Sequence, residues 1–113
     1  MPGPFSRKGA LDMYDMKNLE KLQTMNTAAE PGMKAFWSFN EAAFAPGALD
    51  VLTKELIALG VALTTQCPYC IELHTQAARK AGATDAQLSE TGLVAAAIRA
   101  GGAITHATHM FKG

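Results

Sequence analysis

Residues 48–81, ALDVLTKELIALGVALTTQCPYCIELHTQAARKA, decide how this chain folds. Leu49, Leu52, Leu56, Leu59 and Leu63 recur at alternating spacings of three and four, the repeat of a helix with one apolar face. Beside that face runs a second stripe of Ala48, Val51, Glu55, Ala58 and Ala62, on which Glu55 is the only charged group. The stretch after Thr65-Gln66 repeats the pattern with Cys67, Cys70, His74, Ala77 and Ala81. Pro68 suits the first turn of this second helix, where its missing N–H is not needed, and Gly82 suits its end. The reading is therefore a helix over 48–64, a short link, and a helix from Pro68 to about Ala81.

So short a link makes the two helices antiparallel neighbours. At about 1.5 Å of rise per residue, Glu55 lies roughly 14 Å and His74 roughly 10 Å below the linked end, at similar depth. The alanines beside them permit close approach of the backbones. Glu55, His74 and the two sulfurs are expected to share one pocket. Cys67 and Cys70, three apart on a first helical turn, suit a disulfide without large movement. The positive end of the helix dipole favours the thiolate, most of all at Cys67. His74 follows Cys70 by one turn on the same face, in reach as a base. A carboxylate partly withdrawn from water, Glu55, suits a proton carrier.

Working outward, the rest of the chain also reads as helix. Met13, Met16, Leu19 and Leu22 mark one from Ala10 to about Asn26. Pro31-Gly32 restarts the chain, and Met33, Phe36, Trp37, Asn40 and Phe44 form another stripe. Pro46-Gly47 punctuates again. Thr84-Asp85-Ala86-Gln87 fits a capping box opening a last helix that reaches towards His109, with a bend or break at Gly101-Gly102. No period-two alternation and no Asn-Gly or Asp-Gly turn is present, so the fold class is all-α. Residues 1–9, with Pro2, Pro4 and Arg7-Lys8, read as a loose arm, and 10–113 as one domain.

Composition limits the possible functions. The chain has 113 residues, 49% hydrophobic and 18% charged, enough apolar material for a packed core. Ten basic residues balance ten acidic ones, leaving no field to hold nucleic acid or an anionic membrane. Little charge repulsion keeps copies apart, which favours self-association. The most apolar run, Leu56–Leu63, is far short of the roughly 20 residues of a membrane span. The N-terminus has no apolar signal core, so the expected compartment is the cytoplasm. The only two cysteines form one Cys-x-x-Cys pair, which points to redox chemistry or metal binding rather than a disulfide scaffold.

Other readings of the same residues stay open at this stage. A zinc site would draw on Cys67, Cys70 and His74, with His106 or His109 as a fourth ligand, but no second Cys-x-x-Cys exists. His106 and His109 also suit simple stabilisation of a helix C-terminus. Trp37, Phe36 and Phe39 read as core or subunit interface. The other reading of Glu55 is a plain ion-pair partner.

Glu55-Leu56-Ile57-Ala58-Leu59 followed by Cys67-Pro68-Tyr69-Cys70-Ile71-Glu72-Leu73-His74 resembles the alkylhydroperoxidase D-like branch of the carboxymuconolactone decarboxylase superfamily. That branch carries a Glu, eleven intervening residues, then Cys-x-x-Cys-x-x-x-His, and all four positions match. The resemblance extends over roughly residues 33–106. It implies an all-α oligomer, commonly a trimer or hexamer, whose helical hairpin holds a thiol peroxidase site. Carried across, Cys70 is the peroxidatic cysteine, Cys67 the resolving cysteine and proton donor, and His74 and Glu55 the relay. The substrate implied is a small-molecule peroxide, and the reductant a lipoylated protein or other dithiol carrier. No cofactor or metal is implied, and no nucleotide motif is visible. One departure is that the better-studied peroxidases carry a His inside the Cys-x-x-Cys, where this chain has Tyr69. The decarboxylase relatives, which do not depend on the cysteine pair, imply lactone chemistry as the alternative. A general disulfide reductase would use the same dithiol.

Overall fold

The computed structural model describes residues 14–113. The arm read over residues 1–9, and the start of the first expected helix up to Met13, lie outside the described residues. Among the described residues the chain is helical, with no strand. What the sequence reads as one domain over 10–113 is described as two compact units, one ending at Ala45 and the other Pro46–Gly113. The division falls at the Pro46-Gly47 punctuation.

In the first unit a 3-10 turn, Met16–Lys21, opens on Asp15, whose carboxylate accepts the Lys17 N–H at 2.9 Å. It runs into α1, Leu22–Ala28, and then α2, Glu30–Phe44, with Pro31 in its first turn. The expected first helix is thus a tight turn followed by two α-turns, and the restart at Pro31 is where α2 begins. Trp37 Nε1 donates to Asn26 Oδ1 at 2.7 Å, and the Phe36 ring meets Trp37 edge-on, with centroids 5.0 Å apart. Neither helix buries a residue, and Phe39 is among the most exposed rings. The aromatic cluster is therefore not a core within this unit, because two short helices offer no third surface to cover it.

The second unit holds α3, Val51–Thr65; α4, Pro68–Lys80; and α5, Asp85–Ala107, followed by a 3-10 turn at Thr108–Met110. Asp50 caps α3, accepting the Thr53 N–H at 2.8 Å. That bond holds its carboxyl below the usual range. Gln66 ends α3 in a left-handed conformation at φ 57°, a sparse region for a non-glycine residue. Its N–H and that of Cys67 both return to Ala62 O, closing the helix and reversing the chain. Pro68 opens α4 as expected.

At the other end of α4, Gly82 takes φ +102°. Its N–H bonds Arg79 O while the Ala83 N–H bonds Ala78 O. This reciprocal pair is a Schellman stop, and Ala83 tucks in as its apolar contact. The next residue, Thr84, caps α5 in a complete capping box with Gln87. Arg79 and Asp85 pair across this turn.

The core is small. Leu59, Ala78 and Ala83 are buried together, with Leu52, Leu56 and Leu88 packed partly buried against them. Ala62 is buried too. The leucine stripe of α3 thus faces the core only in its middle, and Leu49 and Leu63 at its ends are exposed. Gly101-Gly102 does not break α5, which continues as α-helix to Ala107. Helical hydrogen bonds on both sides outweigh a cost of about 1 kcal/mol per mid-helix glycine.

Candidate dithiol site

α3 and α4 pack side by side, and the two small-residue stripes meet. Glu55 is the buried charged residue at that contact, only 7% exposed. Its Oε2 lies 2.6 Å from His74 Nδ1, where the His side chain is partly open to solvent. The sequence placed these residues at one depth, and the structure brings them into contact. A carboxylate bonded to one imidazole nitrogen orients the ring. Alanine packing makes the approach possible: Ala62 and Ala78 are almost fully buried where the helices meet.

Cys70 lies one turn before His74 and Cys67 two, both free thiols and both half-buried. Cys67 is the residue that caps α4. Its backbone is extended, and its Sγ accepts the Cys70 N–H at 3.3 Å. The two sulfurs are 2.7 Å apart. This geometry divides the pair. Hydrogen bonding from the Cys70 thiol pulls the Cys67 thiol below its usual range, helped by the Cys70 and Tyr69 N–H groups. The hydrogen bond with Cys67, burial, and the charge Cys67 would carry push Cys70 up. The dipole argument from sequence pointed the same way.

The stripes continue below Glu55 into an open cavity of about 690 Å³, bordered by Leu52, Glu55, Ala77 and Ala81. Asp50 and Lys80 stand at its walls. The sequence reading passed over both. Lys80 falls off the small-residue register, and Asp50 lies inside the helix expected over 48–64, so neither carried a signal. His106 and His109 lie at the far end of the last helix, their rings stacked with centroids 5.3 Å apart. Among the described residues no three His, Cys, Asp or Glu side chains converge as a metal-ligand group, so the four-ligand zinc arrangement does not form. No helix among the described residues is long and apolar enough to cross a membrane.

Comparison with known proteins places this architecture. The chain belongs to the Carboxymuconolactone decarboxylase family, which it matches over residues 30–113. In the apo crystal structure of a carboxymuconolactone decarboxylase family protein from Legionella pneumophila, the fold superposes with a TM-score of 0.70 at 36% identity. That match covers 77% of this chain and 78% of the other. "Uncharacterized protein 4 in cox locus" of Paracoccus denitrificans is 53% identical over 73 residues, 65% of this chain and 66% of that protein. An "Uncharacterized protein" of Haemophilus influenzae is 44% identical over 46 residues, 41% of each chain. The matched stretches thus span less than two thirds of the length of these two relatives.

Proposed function

We propose that this chain is a thiol-dependent peroxidase that reduces small-molecule peroxides through a Cys67/Cys70 dithiol–disulfide cycle. Glu55 and His74 form its proton relay. One observation carries the reading: a buried carboxylate bonded to an imidazole, which follows by one turn the nearer of two free thiols whose sulfurs are 2.7 Å apart. A thiolate attacks the terminal peroxide oxygen, the S–O bond forms, and the O–O bond breaks. The alkoxide or hydroxide leaves and takes up the proton that the attacking thiol released. The second sulfur then displaces water to close the disulfide, its proton passing through His74. A dithiol reductant, such as a lipoylated protein, restores both thiols by exchange. No cofactor enters the cycle, and a reducing cytoplasm suits it. The resemblance assigns the first attack to Cys70 and the resolving role to Cys67.

The working form is a homo-oligomer, a trimer or hexamer. The reason is the small core: among the described residues no large side chain is fully buried, while Leu93, Val94 and Ile98 of α5 are widely exposed. The alternative within the family is a carboxymuconolactone decarboxylase-like enzyme, and lactone turnover that survives loss of both cysteines would favour it.

The test is titration of free thiols in the reduced protein before and after one equivalent of peroxide. Two thiols per chain are expected to disappear. No loss overturns the peroxidase reading.

A further inference from the structure

The residue just before the dithiol holds a conformation that its side chain does not favour. Among the described residues, Gln66 is the one non-glycine residue at positive φ, with φ 57° and ψ 46°. Helices commonly end in this left-handed geometry, but on glycine or at times asparagine. At the end of α4 the chain does use glycine, Gly82. Glutamine at position 66 thus carries a backbone cost that glycine would avoid. Such a cost, kept beside reactive groups, calls for a use of the side chain.

Gln66 borders a cavity of about 290 Å³ where the end of α3 meets α5. Gly92, Ala95 and Ala96 of α5 give it small, apolar walls. Arg99 is the charged residue at its border, and no carboxylate of the described residues lies there. Arg99 Nη1 reaches Thr64 O at 3.4 Å. That long bond aims the guanidinium across the end of α3 and leaves most of its five N–H donors to a ligand. Thr64 also borders the cavity, but its hydroxyl is given to Val61 O at 2.8 Å. A ligand therefore meets a cationic donor, Arg99, and an amide donor, Gln66, in an otherwise small-walled hollow.

This border is next to the thiols. Cys67 follows Gln66 directly, with Cα atoms about 3.8 Å apart. The Cys67 N–H returns to Ala62 O at 3.1 Å, which holds the first thiol residue over the last turn of α3, the turn that Arg99 ties.

We propose that this cavity is a subsite for a carboxylate on the peroxide substrate, bound by Arg99 and Gln66 so that the peroxide end is directed at the dithiol. The inference rests on the peroxidase reading and narrows it to short organic hydroperoxides that carry an acid group. A guanidinium fork matches the two oxygens of a carboxylate, and a few polar groups in a small pocket are enough to fix orientation. The reaction served is unchanged. A thiolate attacks the terminal oxygen, the S–O bond forms and the O–O bond breaks. The alkoxide that carries the carboxylate takes up the proton released by the thiol and leaves as an alcohol.

The experiment uses 4-hydroperoxy-4-methylpentanoic acid and its methyl ester, which differ only at the carboxylate, with hydrogen peroxide as reference. Full-length protein is reduced, the reductant is removed, and the rate of thiol loss is followed, so no carboxylate on a reductant contributes. The acid is expected to react about tenfold faster than the ester at low salt. That preference is expected to shrink in about 1 M salt. Arg99→Met is expected to bring the ratio of the two rates to about one, and Arg99→Lys to keep part of it, since the charge stays and the fork is lost. Gln66→Gly is expected to unfold at a higher temperature while the ratio falls by about threefold. Each ratio compares two peroxides on the same protein, so a general loss of activity in a variant cancels. A ratio near one in the wild-type protein, or one unchanged by Arg99→Met, overturns the subsite and leaves the peroxidase reading intact. No thiol loss with acid, ester or hydrogen peroxide overturns the peroxidase reading, and this inference with it.

Discussion

Glu55, a carboxylate, is 7% exposed between α3 and α4, while Ile98 and Ile104 on α5 are each 73% exposed. The usual preference of a soluble chain is reversed between these two regions. At α3–α4 the burial is local: Glu55 is withdrawn from water because His74 meets it from the next helix. A buried charge is tolerated when it is paired. Along α5, Leu88 near the start of the helix packs against the core. Farther on, Arg99 Nη1 reaches Thr64 O at 3.4 Å, a single polar tie. The hairpin therefore completes its site from its own residues. Among the described residues, Val94, Ile98 and Ile104 farther along α5 are widely exposed, and these are what the proposed oligomer would cover.

The largest expected effect tests the α5 side of this contrast. Ile98 lines an apolar groove of about 500 Å³ with Leu56, Gly60 and Val94. Ile98→Asp puts a charge there and is expected to convert the assembly to monomer in sedimentation velocity, since about 1.5–3 kcal/mol of burial is lost per copy before the cost of the charge. An unchanged sedimentation profile breaks the reading of α5 as a subunit surface.

The next tests the hairpin side. Glu55→Ala leaves His74 facing a void and is expected to cost about 2 kcal/mol in urea unfolding, less than a fully buried pair because His74 is partly open to solvent. Peroxide turnover is expected to fall by about 100-fold. Glu55→Gln is expected to keep most of the stability and lose a similar share of turnover. If Gln restores turnover, Glu55 acts through packing and hydrogen bonding rather than as a proton carrier.

The smallest concerns the joint between the two regions. Thr84→Ala removes the capping box at the start of α5 and is expected to cost about 1 kcal/mol, with the assembly intact. A larger loss would mean that the first turn of α5 carries packing as well as capping.

Much of this was legible in the residues. The Pro68 start, the Gly82 stop and the Thr84 capping box are local rules of backbone and side-chain hydrogen bonding, and each lies where the sequence placed it. The depth match of Glu55 and His74 also follows from helical rise and a short link. The sequence erred where neighbours decide. It read a bend or break at Gly101-Gly102, and the break does not occur, since glycine propensity is weighed without the hydrogen bonds of the flanking turns. It assigned the ends of the leucine stripe to a core, since periodicity tells which face is apolar but not how far a partner extends along it.

What the residues determine alone is the helical hairpin and the register of its four chemical groups, because helix period, caps and link length act over a few neighbours in the chain. Tertiary structure decides the rest. It withdraws Glu55 from water, and it distributes hydrogen bonds so that the two thiols become unequal. Among the described residues it leaves Ile98 and Ile104 of α5 exposed. Burial and charge stabilisation depend on atoms brought close from elsewhere in the chain, and no spacing rule along it contains them.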